Sequence, residues 1–214
     1  MTSAVPKSAP IRWYGLSIVA LLLAWVGCYL PWIATKGAAL SSNLPDLAEW
    51  MTLNPYGRGS ALLTPLALRG VFGLIAVALA NLTPLLTAPM VSTGRAVRWT
   101  VRVLALLIAI GLLPPFDFFR TSPDDPNYRQ QFLITLLTCA GVLIAWRRPI
   151  RVLAVPAVIL AIVCGGLGVL ASVSAWAALK LQTGVGIGAL LTLLALLTAL
   201  VLMLIAARRK VVFS

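Results

Sequence analysis

The feature that most limits what this chain can fold into is a succession of six apolar runs: Trp13–Ile33, Gly70–Met90, Trp99–Phe116, Gln131–Trp146, Val152–Ala178 and Gly184–Ala207. A hydrocarbon layer about 30 Å thick takes roughly 20 helical residues to cross. Within it every backbone N–H and C=O must find a partner inside the protein, which a helix provides and an open strand does not. The runs therefore predict an all-α, polytopic integral membrane bundle of about six transmembrane helices. The fourth run is short and is expected to begin nearer Tyr128; the fifth is long enough to tilt. The first, 21 residues long, exceeds an ordinary signal-peptide core and is expected to be retained as a helix.

A composition of 61% hydrophobic and 10% charged residues is far from that of a soluble domain. It predicts one membrane domain over residues 13–207, with a cytoplasmic tail at 1–12, a second at 208–214 and an external loop at 34–69. The net charge of +12 would suit nucleic acid if the basic residues gathered with aromatics on a soluble face. They sit instead in short runs between the apolar segments, so no nucleic-acid partner is expected. In that position they decide orientation. With the N-terminus inside, the cytoplasmic segments hold Lys7, Arg12, Arg95, Arg98, Arg102, Arg147, Arg148, Arg151, Arg208, Arg209 and Lys210, eleven of the 17 basic residues. The other side holds six, together with all five acids, Asp46, Glu49, Asp117, Asp124 and Asp125. An N-in, C-in chain in a cell membrane, of the bacterial plasma-membrane kind, is the expectation. Trp13, Trp32, Trp99, Trp146 and Trp176 fall near the proposed helix ends, where indole rings favour the headgroup level.

Short cytoplasmic links predict that consecutive helices are antiparallel neighbours, in three hairpins opening outward. In the first external loop, Leu44-Pro45-Asp46-Leu47-Ala48-Glu49-Trp50-Met51 reads as a short amphipathic interfacial helix. Proline suits its first turn, the acids suit the positive end of its dipole, and Leu44, Leu47, Ala48 and Met51 share one face. Three uses are open to it: a surface lid on its own bundle, a gate, or a docking element for a partner through Leu44, Leu47, Trp50 and Met51. Arg69 interrupts an apolar stretch. Either it sits at the outer headgroup level with Gly70 opening the span, or it is an intramembrane charge, which would mark function.

Arg95, Arg98 and Arg102 are spaced to share a helix face that would contact an anionic lipid, and they are equally the residues that topogenic charge would supply. Asp124-Asp125 lacks the alternating ligand spacing of a calcium loop and reads as a solvated turn with local ion pairs. Cys164, Gly168 and Ser172 recur every four residues, as do Gly184 and Gly188; these small-residue stripes predict close packing between the fifth and sixth helices, with a hinge at Gly165-Gly166 as the alternative. Cys28, Cys139 and Cys164 have no metal or disulfide spacing and read as small core residues.

The chain has no histidine, which removes the commonest general base, the usual haem ligand and the imidazole ligand of zinc or copper. Ser-His-Asp and Cys-His catalysis need that residue too. The carboxylates all fall in loops, so no proton-relay acid is expected in the bundle. Neither catalysis, nor a metal, nor a cofactor is expected. The reading that follows is a non-catalytic accessory, scaffold or assembly subunit whose partners are the lipid bilayer and other membrane proteins, with an anionic lipid as a further contact. The alternative is a transporter or permease component for a neutral or apolar solute, with a mid-membrane cavity lined by Asn81, Thr83, Thr87, Thr135 and Thr138.

Overall fold

A computed structural model of the protein describes residues 9–35, 41–53, 63–83, 93–121, 124–148, 153–180 and 182–211. The long elements are helices α1 (Ala9–Gly27), α2 (Leu44–Leu53), α3 (Leu63–Leu82), α4 (Thr93–Ile110), α6 (Pro126–Arg147), α7 (Ala154–Ala178) and α8 (Ile187–Val211), with a single turn, α5 (Phe118–Thr121), between α4 and α6. Four of them, over Thr64–Leu82, Pro126–Arg147, Ala154–Ala178 and Ile187–Arg208, are long and apolar enough to cross a membrane.

α3 is the centre of the bundle. Of its apolar stretch 72% is buried, against 22–39% for the other three long apolar helices, and α1, α2, α4, α6 and α7 all pack on it. It starts at Leu63, so Arg69 lies inside the helix rather than ahead of it as the expected start at Gly70 implied. The apolar residues before Arg69 continue the helical periodicity, and arginine is itself a good helix former.

α1 stops at Gly27, six residues before the end of the first apolar run. Cys28, Tyr29 and Leu30 close the end with tight turns onto Trp25, Val26 and Gly27 carbonyls, and Pro31 has no N–H with which to continue. The chain instead forms strands that the helical periodicity concealed. β1 (Ile33–Thr35) pairs antiparallel with β2 (Ser41–Ser42) on one side and with β3 (Thr183–Val185) on the other, Ile33 facing Ser42 and Val185. This small sheet fastens the end of α1 to the start of α8, helped by Gly186 N–H to Trp32 C=O at 2.7 Å and Gly188 N–H to Pro31 C=O at 2.8 Å.

Below the sheet α1 and α8, first and last in the chain, form the most extensive helix pair. A side chain added at Gly188 would lie 2.4 Å from the Leu30 oxygen, and one at Gly27 2.5 Å from Thr192 Oγ1. Thr192 donates to Ala24 C=O at 3.1 Å across the seam. The last two helices do pack on each other, as expected, but not through the stripes the sequence offered. Gly188 is spent on α1, while Gly168 of α7 meets Leu68 of α3, where an added Cβ would stand 2.4 Å from Leu68 Cδ2. Ser172 donates to its own helix at Gly168 C=O. Cys164 lies beside Gly70 of α3, and Gly184 is in β3 with open space around it. Only Gly165, touching Leu193, belongs to an α7–α8 contact, and α7 runs unbroken through Gly165-Gly166.

The expected hairpin of the fourth and fifth spans also differs. α6 and α7 each pack on α3, through Thr138 against Gly73 and Cys164 against Gly70, and make no extended contact with each other. Two glycines on the same helix admit both neighbours closely, so α3 separates them.

Candidate functional site

α2 is built from local rules: Asn43 caps it by accepting from Asp46 N–H at 2.9 Å, and Pro45 stands in its first turn. Its apolar face turns inward. Leu44, Leu47, Ala48 and Met51 are buried in the chain's own core, and Trp50 packs edge-on against Trp176 of α7 at 5.2 Å. Of the residues expected to dock a partner, Leu44, Leu47 and Met51 are thus covered and Trp50 is half-buried, because the sheet and α3 hold α2 down over the bundle.

This cover encloses a cavity of 270 Å³ between α2, α3, the end of α4 and the start of α6. Arg69 is on its wall and only 6% exposed. Nη2 reaches Thr52 Oγ1 of α2 at 3.4 Å, and Thr52 in turn donates to Ala48 C=O at 2.8 Å. Nη1 is buried with no hydrogen-bond partner. Glu49 and Asp125 are the carboxylates whose charge bears on the guanidinium, Glu49 more strongly, yet neither forms a direct ion pair with it. Asp125 is occupied as the N-cap of α6, accepting from Asn127 N–H at 2.8 Å, and Asp124 is ion-paired with exposed Arg129. Gln131 of α6 donates to the free carbonyls of Leu112 and Leu113 after α4, at 3.0 and 3.3 Å, which joins the two helices at the cavity rim. Phe72, Ile108 and Leu112 supply the apolar wall.

A second, apolar cleft of 610 Å³ lies where α6 and α7 part over α3. Gly70, Gly73 and Val77 of α3 form its floor, with Leu137 and Thr138 of α6 and Leu160 and Cys164 of α7 along its sides.

At the opposite end of the bundle the three arginines of α4 part company. Arg95 is exposed. Arg102 is half-buried, its Nη2 reaching Trp146 C=O at the end of α6 at 3.5 Å and its guanidinium lying 5.7 Å from the Trp99 ring. A cation at a helix C-terminus is where the dipole favours it. Trp99 and Trp146 meet edge-to-face at 6.1 Å, while Trp32 and Trp176, expected at headgroup level, are buried under the sheet and α2.

Sequence reasoning singled out Arg69 because a charge broke an apolar run. It missed Phe72, Ile108 and Gln131, which share its cavity but are scattered along the chain with no local signal. Fold and sites together define a helical protein with four helices apolar enough to cross a membrane and, under an α2 cover at one end, a cavity lined by Arg69 and Glu49. No protein family, no curated protein and no solved structure matches the chain.

Proposed function

We propose that the protein is a non-catalytic six-span accessory or assembly subunit of a larger membrane complex, with both termini in the cytoplasm. α1, with 19 residues, and α4, with 18, would extend about 27–29 Å at 1.5 Å per residue, close to the thickness of the hydrocarbon layer, and with their flanking turns would join the four longer helices in crossing the bilayer. Supporting the orientation, Asp46, Glu49, Asp117, Asp124 and Asp125 lie in the elements at the sheet end, whereas Arg95, Arg98, Arg102, Arg147 and Arg148 lie at the other end of the helices. With Asp124→Cys and Arg148→Cys in sealed cells, an impermeant maleimide should label Cys at 124 from outside, and Cys at 148 only after permeabilisation. The reverse pattern inverts the topology.

The observation that carries the subunit reading is the α6–α7 cleft. The cleft is open and almost wholly apolar, and helices in lipid, where no hydrophobic force drives them together, associate by packing into complementary shapes. The occupant proposed is a transmembrane helix of a partner subunit. A photo-crosslinking residue at Leu137 or Leu160 should yield one discrete protein adduct, at a stoichiometry approaching one to one in mild-detergent extracts, while the same group at exposed Leu204 should not. Adducts to lipid alone at all three positions, with a monodisperse free protein, would defeat the proposal. The transport alternative draws little support: Asn81, Thr83 and Thr135 donate to carbonyls of their own helices, Thr138 faces the apolar cleft, and Thr87 lies outside the described residues.

A further inference from the structure

A guanidinium that has left water needs a counter-charge or a full set of acceptors, and an unmet buried charge is among the more expensive things a fold can carry. Arg69 has the Glu49 and Asp125 charges only at a distance and no full set of acceptors: among the described residues one terminal nitrogen is on a neutral hydroxyl and the other, Nη1, is bare. Other parts of the Arg69 side chain line the cavity. Glu49 shares the wall but stands too far for a direct pair. The rest of the wall is mixed, with hydrocarbon from Phe72, Ile108 and Leu112 on one part and the polar groups of Tyr29, Tyr128 and Gln131 on another.

The geometry points to a binding site for a singly charged amphiphile, whose oxyanion accepts hydrogen bonds from Arg69 and whose first carbons lie along Phe72, Ile108 and Leu112. Arginine's fork matches an oxyanion, phosphodiester or carboxylate, and supplies the charge-assisted bonds that Nη1 lacks. The Glu49 carboxylate disfavours a doubly charged group such as a phosphate monoester, by like-charge repulsion across the same space. The volume suits a headgroup with a short length of chain and is too small to enclose a whole lipid, so the rest of the tail must leave the cavity. Two sources share this chemistry, a phospholipid diester and a fatty carboxylate. The site stands whether or not the α6–α7 cleft receives a partner helix.

The test uses the full chain in maltoside micelles, with phosphatidylglycerol or oleate added in separate arms and read by native mass spectrometry and thermal melting. One bound amphiphile and a rise in melting temperature are expected in at least one arm. A phosphatidylglycerol response assigns the site to a lipid diester, an oleate response to a carboxylate, and no response in either arm overturns the proposal. Arg69→Gln should weaken binding about tenfold or more, with Arg69→Lys intermediate; undiminished binding by Arg69→Gln also overturns it. Should Arg69→Gln not fold, the wild-type protein decides the matter with diazirine-bearing versions of the two amphiphiles. Adducts at Phe72, Ile108 or Leu112 support the site, and adducts confined to outward residues such as Leu194 and Leu204 refute it.

Discussion

Gly188→Ala is expected to lower the melting temperature of the detergent-solubilised protein by roughly 5–10 °C. The added methyl would stand 2.4 Å from the Leu30 oxygen and 2.7 Å from the Gly27 oxygen. These are backbone atoms at the closed end of α1, and they are tied to α8 by the Gly188 N–H bond to Pro31. They cannot rotate away as a side chain would, so α1 and α8 must separate or the sheet must give up pairing. Overpacking of a well-filled site typically costs about 1–3 kcal/mol, and in a chain of this size each kcal/mol is worth about 2–4 °C. Gly166→Ala is the control, because nothing stands within 4 Å of its added Cβ and it lies inside α7. That change should leave stability unaltered or raise it by about 0.4–1 kcal/mol through a less mobile unfolded chain. Equal melting of the two variants would mean that the α1–α8 seam is looser than described.

Trp32→Ala should destabilise the protein further, by about 3–5 kcal/mol, the range for emptying a large buried aromatic site. Trp32 is completely buried and is the largest side chain so placed. Its ring reaches Gly165 of α7, and its indole N–H donates to Gly27 C=O at 3.1 Å. Its backbone also holds both strands and the entry to α8. Removing the ring therefore unseats α1, α7 and the sheet together. Trp32→Phe retains most of the packing, and Leu30 N–H still reaches the Gly27 carbonyl, so it should cost less than about 1.5 kcal/mol. Titration with a denaturing detergent measures both; a Trp32→Ala protein as stable as Trp32→Phe would refute the keystone role.

Both sites escaped the sequence reading for one reason. Gly188 was noticed as half of a small-residue stripe, and Trp32 as an indole near a helix end, but a stripe does not name its partner and an end does not say whether it is covered. α2 was legible as a helix from Pro45, the acids Asp46 and Glu49, and its apolar spacing. Which way that face turned was not, since inward and outward docking require the same pattern. Arg69 was legible as an anomaly, and its cavity was not, because Glu49, Leu112 and Gln131 are brought to it by three other segments.

The sequence by itself determined that this chain is helical and apolar enough to enter a membrane, and that eleven of its 17 basic residues fall in segments without acids. Length, hydropathy and charge order are one-dimensional quantities, and backbone satisfaction in lipid leaves them few outcomes. Only the tertiary structure decided that the first and last helices pair under a sheet, that α3 parts α6 from α7, and that one buried arginine lines a cavity. In an apolar bundle nearly every helix face can pack against every other, so the choice falls to steric fit at Gly27, Gly73 and Gly188, and fit exists only once the helices have met.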